Sequence, residues 1–365
     1  MTPPAVALAA YLLVALASGV AVRWRARRYH ADPESDPETA FRLRRLRRRG
    51  ALAGWVATTG VTARFGVAAA ARDALSSTLG ADPVAAAVGT LGAYLVPALP
   101  VALAVRLGTV PYRRAARDLR VRYRDAAAWE LERDGAGVVL VLTAAALIAL
   151  TPGGWPRVLV AAGLGLVAVA LAPFALVVAL RTRWPSDAER DLLGDVLGGV
   201  HLRVVDDRTR VGSAVAAGVL PGARYVFVTE SLFDVLDDDE VRAVVAHEVG
   251  HHERHHVLLR FALLAAAAAV ALALVEFAPD LALGAVLVGA GPTAVALAWV
   301  VRRTEESADA YAAATVGGPA LADALETLVE RRYVIEATGL LRVLSYHPPL
   351  SERTADLRRG PGPPA

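Results

Sequence analysis

The chain has 365 residues, of which 55% are hydrophobic and 21% are charged, and its mean hydropathy is +0.43. Soluble globular domains are less apolar than this, so the composition favours a membrane protein. There is no cysteine, which excludes disulfides, thiolate metal ligands and a cysteine nucleophile. The formal net charge is only +3, so the placement of arginine along the chain is more informative than the total.

Seven apolar stretches are candidate membrane spans. A spanning helix needs roughly 20 mainly apolar residues, and five of the stretches reach that length comfortably. The fourth is short, and the second carries Arg64 near its middle. In chain order the stretches are Ala5–Val22, Ala51–Ala71, Val84–Val105, Gly137–Leu150, Val158–Leu180, Phe261–Ala278 and Leu281–Val301.

The loops between these stretches alternate in arginine content. Arg23–Gly50 and Arg106–Ala136 are rich in arginine, which by the positive-inside rule predicts that both are cytoplasmic. The second and third stretches must then both span the membrane. We therefore expect the N-terminus outside the cell membrane and the C-terminus inside. The arginine-rich segments are interpreted as flanks against a lipid bilayer, with no nucleic acid as partner.

One substantial polar region, Arg181–Arg260, separates the fifth and sixth stretches. Leu202–Val205 and Tyr225–Thr229 are rich in β-branched or aromatic residues and predict short strands. Leu220, Pro221 and Gly222 between them indicate a turn. This region is therefore expected to hold a small β-sheet.

A helix is predicted to open at Asp237–Glu240, after the second strand. Asp237 is a suitable N-cap, and Glu240 occupies the capping-box position three residues later. The apolar stripe that this helix would bury consists of Val241, Val244, Val245 and Val249.

The same helix carries the motif His247-Glu248-Val249-Gly250-His251, which is HExxH. Residues four apart share a helix face, so His247 and His251 can bind one metal ion, with Glu248 beside them as a base for water. Other histidines in this stretch also stand four apart, but only His247 and His251 enclose a glutamate directly after the first histidine. We expect His252, His255 and His256 to be solvated or close to lipid headgroups.

A catalytic zinc takes three protein ligands and leaves one position for water. A carboxylate is the natural third ligand, and Glu305 and Asp309 lie four apart just after the last apolar stretch. One of the two could bind the metal while the other accepts a hydrogen bond from a ligand histidine.

These motifs resemble the zinc metallopeptidase family of the Ste-type CAAX prenyl proteases and the HtpX-like membrane proteases. That family has HExxH followed by a distant ExxxD, which Glu305 and Asp309 match. An edge-strand element before HExxH is matched by Ser213–Gly218, although the family's asparagine is Ser213 here. A C-terminal His-Pro element is matched at His347, with Arg353 six positions later. His256 also falls where the prenyl-protease branch has a further histidine.

The resemblance implies one Zn2+ per chain, held by His247, His251 and Glu305. It implies Glu248 as general base and Asp309 as the residue that orients a ligand histidine. His347 and Arg353 would stabilise the oxyanion of the tetrahedral intermediate. The edge strand Ser213–Ala217 would accept an extended polypeptide substrate.

The expected fold is mainly α, with about seven transmembrane helices and a cytoplasmic zincin-like metallopeptidase domain made of a small sheet and the HExxH helix. The expected parts are a membrane domain at 1–180, a peptidase core at 181–260, two further spans at 261–301 and a helical part at 302–365 that completes the zinc site. Three alternatives stay open, namely a signal-responsive peptidase of BlaR type, a prenyl-peptide protease of CAAX type, and an inactive scaffold with structural zinc.

Overall fold

The structure is a computed structural model, and it describes residues 3–28, 37–79, 83–117, 122–131, 135–206, 212–331 and 350–359. The chain divides into two compact units, Met1–Ala161 and Ala162–Ala365. The finer division into four parts stays a prediction.

The first unit is built of helices. They are α1 (Pro3–Arg27), α2 (Pro37–Arg64), α3 (Val67–Leu79), α4 (Pro83–Leu95), α5 (Ala98–Arg117), α6 (Tyr123–Glu130) and α7 (Ala136–Leu150), and α8 (Trp155–Ala179) crosses the boundary between the units. Glycine lets α1 approach α5 closely, since a Cβ at Gly108 would lie 2.6 Å from the carbonyl oxygen of Gly19. Small residues at such crossings are how membrane helices gain packing contacts.

Four helical segments of the described chain are long and apolar enough to cross a membrane: Ala5–Arg27, Val88–Tyr112, Trp155–Ala179 and His256–Phe277. Gly137–Leu150 is apolar but shorter, as the sequence indicated. The second predicted span is interrupted, because α2 ends at Arg64 and a turn with Gly66 at φ +64° precedes α3. The count of seven spans stays a prediction, whereas the mainly helical, multi-pass membrane architecture is confirmed.

The second unit combines a small sheet with helices. Its elements are β1 (Thr182–Arg183), α9 (Asp187–Leu193), β2 (His201–Val205), β3 (Ala214–Ala217), β4 (Tyr225–Thr229), α10 (Glu230–Val235), α11 (Asp238–Glu253), α12 (His256–Phe277), α13 (Pro279–Val316), α14 (Gly318–Glu330) and α15 (Leu350–Arg359). The strand order is β1-β2-β4-β3, with β2 and β4 parallel and the other pairs antiparallel. Both strands and the intervening turn predicted from the sequence are confirmed, and β3 lies at the edge of the sheet.

The helix α11 forms as its sequence predicts. The Asp237 carboxylate accepts a hydrogen bond from the Glu240 amide at 2.8 Å, and the Glu240 carboxylate accepts one from the Asp237 amide at 3.0 Å. Its valine stripe is buried against the sheet and α14, where Val226, Val228 and Leu321 belong to the same apolar core. Burying this stripe sets the rotation of α11, so His247 and His251 of HExxH face α13 and Glu248 faces the edge strand β3.

Candidate metal centre and active site

Close packing of α11 on α13 brings the two halves of the site together. A Cβ at Gly250 would lie 3.1 Å from the Tyr311 side chain, so the small residue allows the two helices to approach at the level of the motif. His247 and His251 project from the last turns of α11, and Glu305 and Asp309 project from α13.

Three side chains converge in the geometry of a metal site. The ligand atoms of His247, His251 and Glu305 all lie within 4.8 Å of one another, and the residues are 7%, 5% and 1% exposed. Nε2 of His247 lies 3.7 Å from Oε2 of Glu305, and Nε2 of His251 lies 3.4 Å from Oε1. Glu305 therefore faces both ring nitrogens, which is the position of a third ligand.

Asp309 lies on the far side of the His247 ring. Its Oδ1 is 2.9 Å from Nδ1 of His247, an ion-pair distance without the alignment of a straight hydrogen bond. Arg353 of α15 clamps the same carboxylate with two hydrogen bonds, from Nε at 2.7 Å and from Nη2 at 2.6 Å. Burial alone would raise the pKa of Asp309, but the contacts with His247 and Arg353 hold it below its usual range. Asp309 is thus a charged partner of His247 and lies outside the His247–His251–Glu305 cluster.

His251 has a different partner, which the sequence did not assign. Its Nδ1 lies 3.0 Å from Nδ1 of His256, the first residue of α12. If Nε2 of His251 is the metal-binding atom, its Nδ1 carries the proton and donates a hydrogen bond to Nδ1 of His256. The left-handed conformation of His255, at φ +55°, turns the chain between α11 and α12 and places His256 there.

The expectation that the extra histidines are solvated was wrong for two of them. His252 is 3% exposed and His256 is 6% exposed. Nε2 of His252 lies 3.0 Å from the carbonyl oxygen of Tyr225, so this ring connects α11 to β4. The spacing of four pointed to a shared helix face, but α11 ends at Glu253, and the sequence carried no signal for that end.

Glu248 faces the edge of the sheet. Its Oε2 accepts a hydrogen bond from the backbone amide of Ala216 at 2.7 Å. The Thr229 amide donates to the Ser213 carbonyl, so in this antiparallel pair Ser213, Val215 and Ala217 turn their backbone groups towards β4. Ala216 consequently presents its amide at the free edge of β3, beside the carboxylate of Glu248.

The pKa values of the site residues reflect their burial and the neighbouring carboxylates. Burial lowers the pKa of His247, but the carboxylates of Asp309 and Glu305 outweigh it and raise that pKa to about 9. Burial lowers the pKa of His251 to about 3, and desolvation raises the pKa of Glu248. The cluster offers two imidazole nitrogens, of His247 and His251, and one carboxylate oxygen, of Glu305. Two nitrogens and one oxygen are a known set of zinc ligands.

Arg260 of α12 is a further residue that the sequence did not single out. Its Nη2 donates to Oε1 of Glu305 at 2.7 Å and to Oγ1 of Thr304 at 2.7 Å. An arginine at the start of an apolar stretch is typical of a membrane flank, so its sequence position carried no sign of this contact. His347, the other residue implied in oxyanion stabilisation, lies outside the described residues.

Comparisons with known proteins agree with this geometry. Residues 199–360 match peptidase family M48. Protease HtpX homologs from Methanopyrus kandleri and Aeropyrum pernix are 33% identical over 193 residues and 32% identical over 147 residues, covering 44% and 38% of this chain. The chain spans 60% and 41% of the length of these two relatives.

The crystal structure of S. mikatae Ste24p is similar in fold over 95% of this chain and 98% of that chain, with a TM-score of 0.60 at 15% sequence identity. At this level of identity the likeness concerns the fold alone. The fold likeness also covers the helices that precede the M48 match. Together with the HExxH helix and the buried glutamate of α13, these likenesses show that residues 199–360 resemble the peptidase family M48 domain of HtpX-like proteases and that the chain has a fold similar to that of Ste24p.

Proposed function

We propose that the chain is a zinc-dependent endopeptidase of the cell membrane that hydrolyses peptide bonds of unfolded or membrane polypeptides at the cytoplasmic face. One observation carries the proposal. The carboxylate of Glu248, the residue next to His247 of the His247–His251–Glu305 cluster, accepts a hydrogen bond from the Ala216 amide at the free edge of β3. A base, a metal site and a strand edge for an extended chain thus meet at one point.

His247, His251 and Glu305 would hold the zinc, which supplies a Lewis acid that lowers the pKa of water and polarises a peptide carbonyl. Glu248 takes a proton from the attacking water as the water oxygen bonds to the carbonyl carbon. The same carboxyl then gives that proton to the leaving nitrogen as the C–N bond breaks. The raised pKa of Glu248 suits both transfers, because a general base works best with a pKa near the working pH.

The remaining polar residues orient this machinery. Asp309 holds His247, and Arg353 holds Asp309 through Nε and Nη2. Nη1 of Arg353 lies 4.0 Å from Oε2 of Glu305, the oxygen that faces Nε2 of His247, and this guanidinium is proposed to stabilise a developing oxyanion. His347 is proposed to share this last role.

The free edge of β3 is the proposed substrate site. Strand addition would pair an extended polypeptide with the outward backbone groups of Ala214 and Ala216, next to Glu248. The bound peptide would take the Ala216 amide, which releases Glu248 for water. The cytoplasmic location rests on the arginine distribution along the chain.

The test is cleavage of an unfolded soluble reporter by the full-length protein, purified in detergent and loaded with zinc. Glu248→Gln keeps the size of the side chain but removes the base. We expect a loss of about 10²–10⁴-fold in kcat, the usual contribution of general acid–base catalysis, with zinc still bound. Glu253→Gln is the matched control, since Glu253 is an exposed glutamate on the same helix.

The outcomes separate the components of the proposal. A fully active Glu248→Gln protein would refute the assigned base. Wild-type activity that survives complete removal of zinc would refute the metal requirement. Cleavage that is lost in Glu248→Gln and unchanged in Glu253→Gln supports the proposal.

A further inference from the structure

The first unit contains a groove that the peptidase site does not use. It lies between α1 and α2, has a volume of about 570 Å³, and is lined by four arginines: Arg25 of α1 and Arg42, Arg45 and Arg49 of α2. All four side chains are exposed. The three of α2 are spaced three and four residues apart, so they share one helix face.

The groove changes from basic to apolar along its length. A Cβ at Gly50 would lie 2.5 Å from Val22, and one at Gly54 would lie 3.0 Å from the hydroxyl of Ser18, so α1 and α2 run antiparallel in this register. The arginines line the end near the α1 C-terminus. Ala21, Val22, Gly50 and Ala53 line the other end, towards the apolar interior of the span Ala5–Arg27.

This change from basic to apolar lining matches an anionic phospholipid, which has a charged headgroup at one end and apolar acyl chains at the other. Guanidinium groups bind phosphate oxygens through paired hydrogen bonds, and a basic pocket at the end of membrane helices is a recurrent site for anionic headgroups. Trp24 also lines the groove, with Arg28 stacked on its ring at 3.8 Å, which is the place of an interfacial aromatic residue.

The local charge also favours an anion. Between residues 23 and 50 the sequence has ten arginines and four acidic residues. A nucleic acid would use the arginines alone, whereas the apolar half of the groove has a counterpart only in an acyl chain. We infer that this groove binds one anionic membrane phospholipid, with its phosphate among Arg25, Arg42, Arg45 and Arg49 and its acyl chain along Val22 and Ala53.

The test uses full-length protein in nanodiscs of phosphatidylcholine with increasing phosphatidylglycerol, and it measures bound phosphatidylglycerol by native mass spectrometry. The double variant Arg45→Gln/Arg49→Gln removes two groove arginines. Its matched control, Arg27→Gln/Arg48→Gln, removes the same charge from exposed positions that do not line the groove. Both doubles keep α1 and α2 free of new apolar or helix-breaking residues.

We expect phosphatidylglycerol binding to weaken about thirtyfold in the groove variant, which is about 2 kcal/mol at 1.4 kcal/mol per tenfold, and to change little in the control. An equal loss in both variants would mean that general charge, not this groove, attracts the lipid, and would overturn the inference. Three other results would overturn the inference as well. They are phosphatidylcholine bound as strongly as phosphatidylglycerol, complete displacement of phosphatidylglycerol by millimolar inorganic phosphate, and a short RNA that binds more tightly than phosphatidylglycerol. Peptidase activity plays no part in this readout, so the result is independent of the proposed function.

Discussion

Removal of the Asp309 carboxylate should damage both the stability and the metal affinity of the protein. In Asp309→Ala the guanidinium of Arg353 loses two hydrogen bonds, of 2.7 and 2.6 Å, while remaining 8% exposed. His247 loses the anion that lies 2.9 Å from its Nδ1. One substitution therefore leaves the buried guanidinium of Arg353 with only the 4.0 Å contact of its Nη1 to Glu305, and it leaves the His247 ring without its carboxylate partner.

The magnitudes follow from these two losses. Breaking a buried ion pair by removal of one partner costs about 3–5 kcal/mol, because the other charge stays desolvated. Loss of a carboxylate that supports a ligand histidine typically weakens metal binding about 10–100-fold. Arg353→Met removes the guanidinium with little change in volume, and it leaves Asp309 in contact with His247. The double variant Asp309→Ala/Arg353→Met buries no unpaired charge, so it should be more stable than Asp309→Ala.

The assay is a double-mutant cycle on the full-length protein in detergent, with thermal unfolding and zinc competition against a chelator as its two readouts. We expect a coupling of at least 1 kcal/mol in stability, since residues that share one buried network are not additive. Additive stabilities, or an Asp309→Ala protein that binds zinc as tightly as wild type, would refute the arrangement of Arg353, Asp309 and His247 described above.

Three further predictions concern other contacts. His256→Ala should weaken zinc binding about 10–100-fold. His255→Asn is the control and should leave zinc binding unchanged, because asparagine suits the left-handed backbone at that position. Equal zinc affinities of the two variants in a chelator titration would contradict this prediction. Arg260→Leu should lower the melting temperature of the zinc-free protein more than that of the zinc-loaded protein, because zinc would replace the positive charge beside the buried Glu305 carboxylate. Equal shifts in melting temperature would count against this prediction. Glu189→Gln should be less stable than wild type at pH 6, because hydrogen bonds from Arg183 lower the pKa of Glu189 from 4.5 to about 2 in the folded state. The difference in stability should shrink as the pH falls from about 4.5 to about 2. A difference in melting temperature that is constant with pH would exclude that contribution.

Local features of the second unit were predictable because their determinants are close together in sequence. The α11 capping box uses Asp237 and Glu240, three residues apart, and the strand Tyr225–Thr229 follows from its own residue types. The pairing of His247 with His251 needs only the geometry of a helix. The sequence left open which of two carboxylates, four residues apart on α13, would bind the metal.

Contacts between distant segments were not predictable in this way. The amide of Ala216 meets Glu248 across 32 residues, and Arg353 meets Asp309 across 44. Arg260 lies at the start of an apolar stretch, as arginines that flank a membrane span do, but its guanidinium contacts the buried Glu305. The break after Arg64 was visible only as one charge within an apolar stretch. In each case the determining fact is how two elements pack, and residue periodicity carries no information about that.

The position of α15 shows how far the active site depends on such packing. Its Leu357 belongs to the core that also buries the α11 valines. A Cβ at Gly318 would clash with the Leu357 carbonyl oxygen, so α15 packs tightly against α14. That contact positions Arg353, which holds Asp309, which in turn faces His247. The contacts of the His247 ring therefore depend on a helix about one hundred residues further along the chain. The HExxH helix brings His247 and His251 to one face, and the packing of the C-terminal helix places the carboxylate that the His247 ring faces.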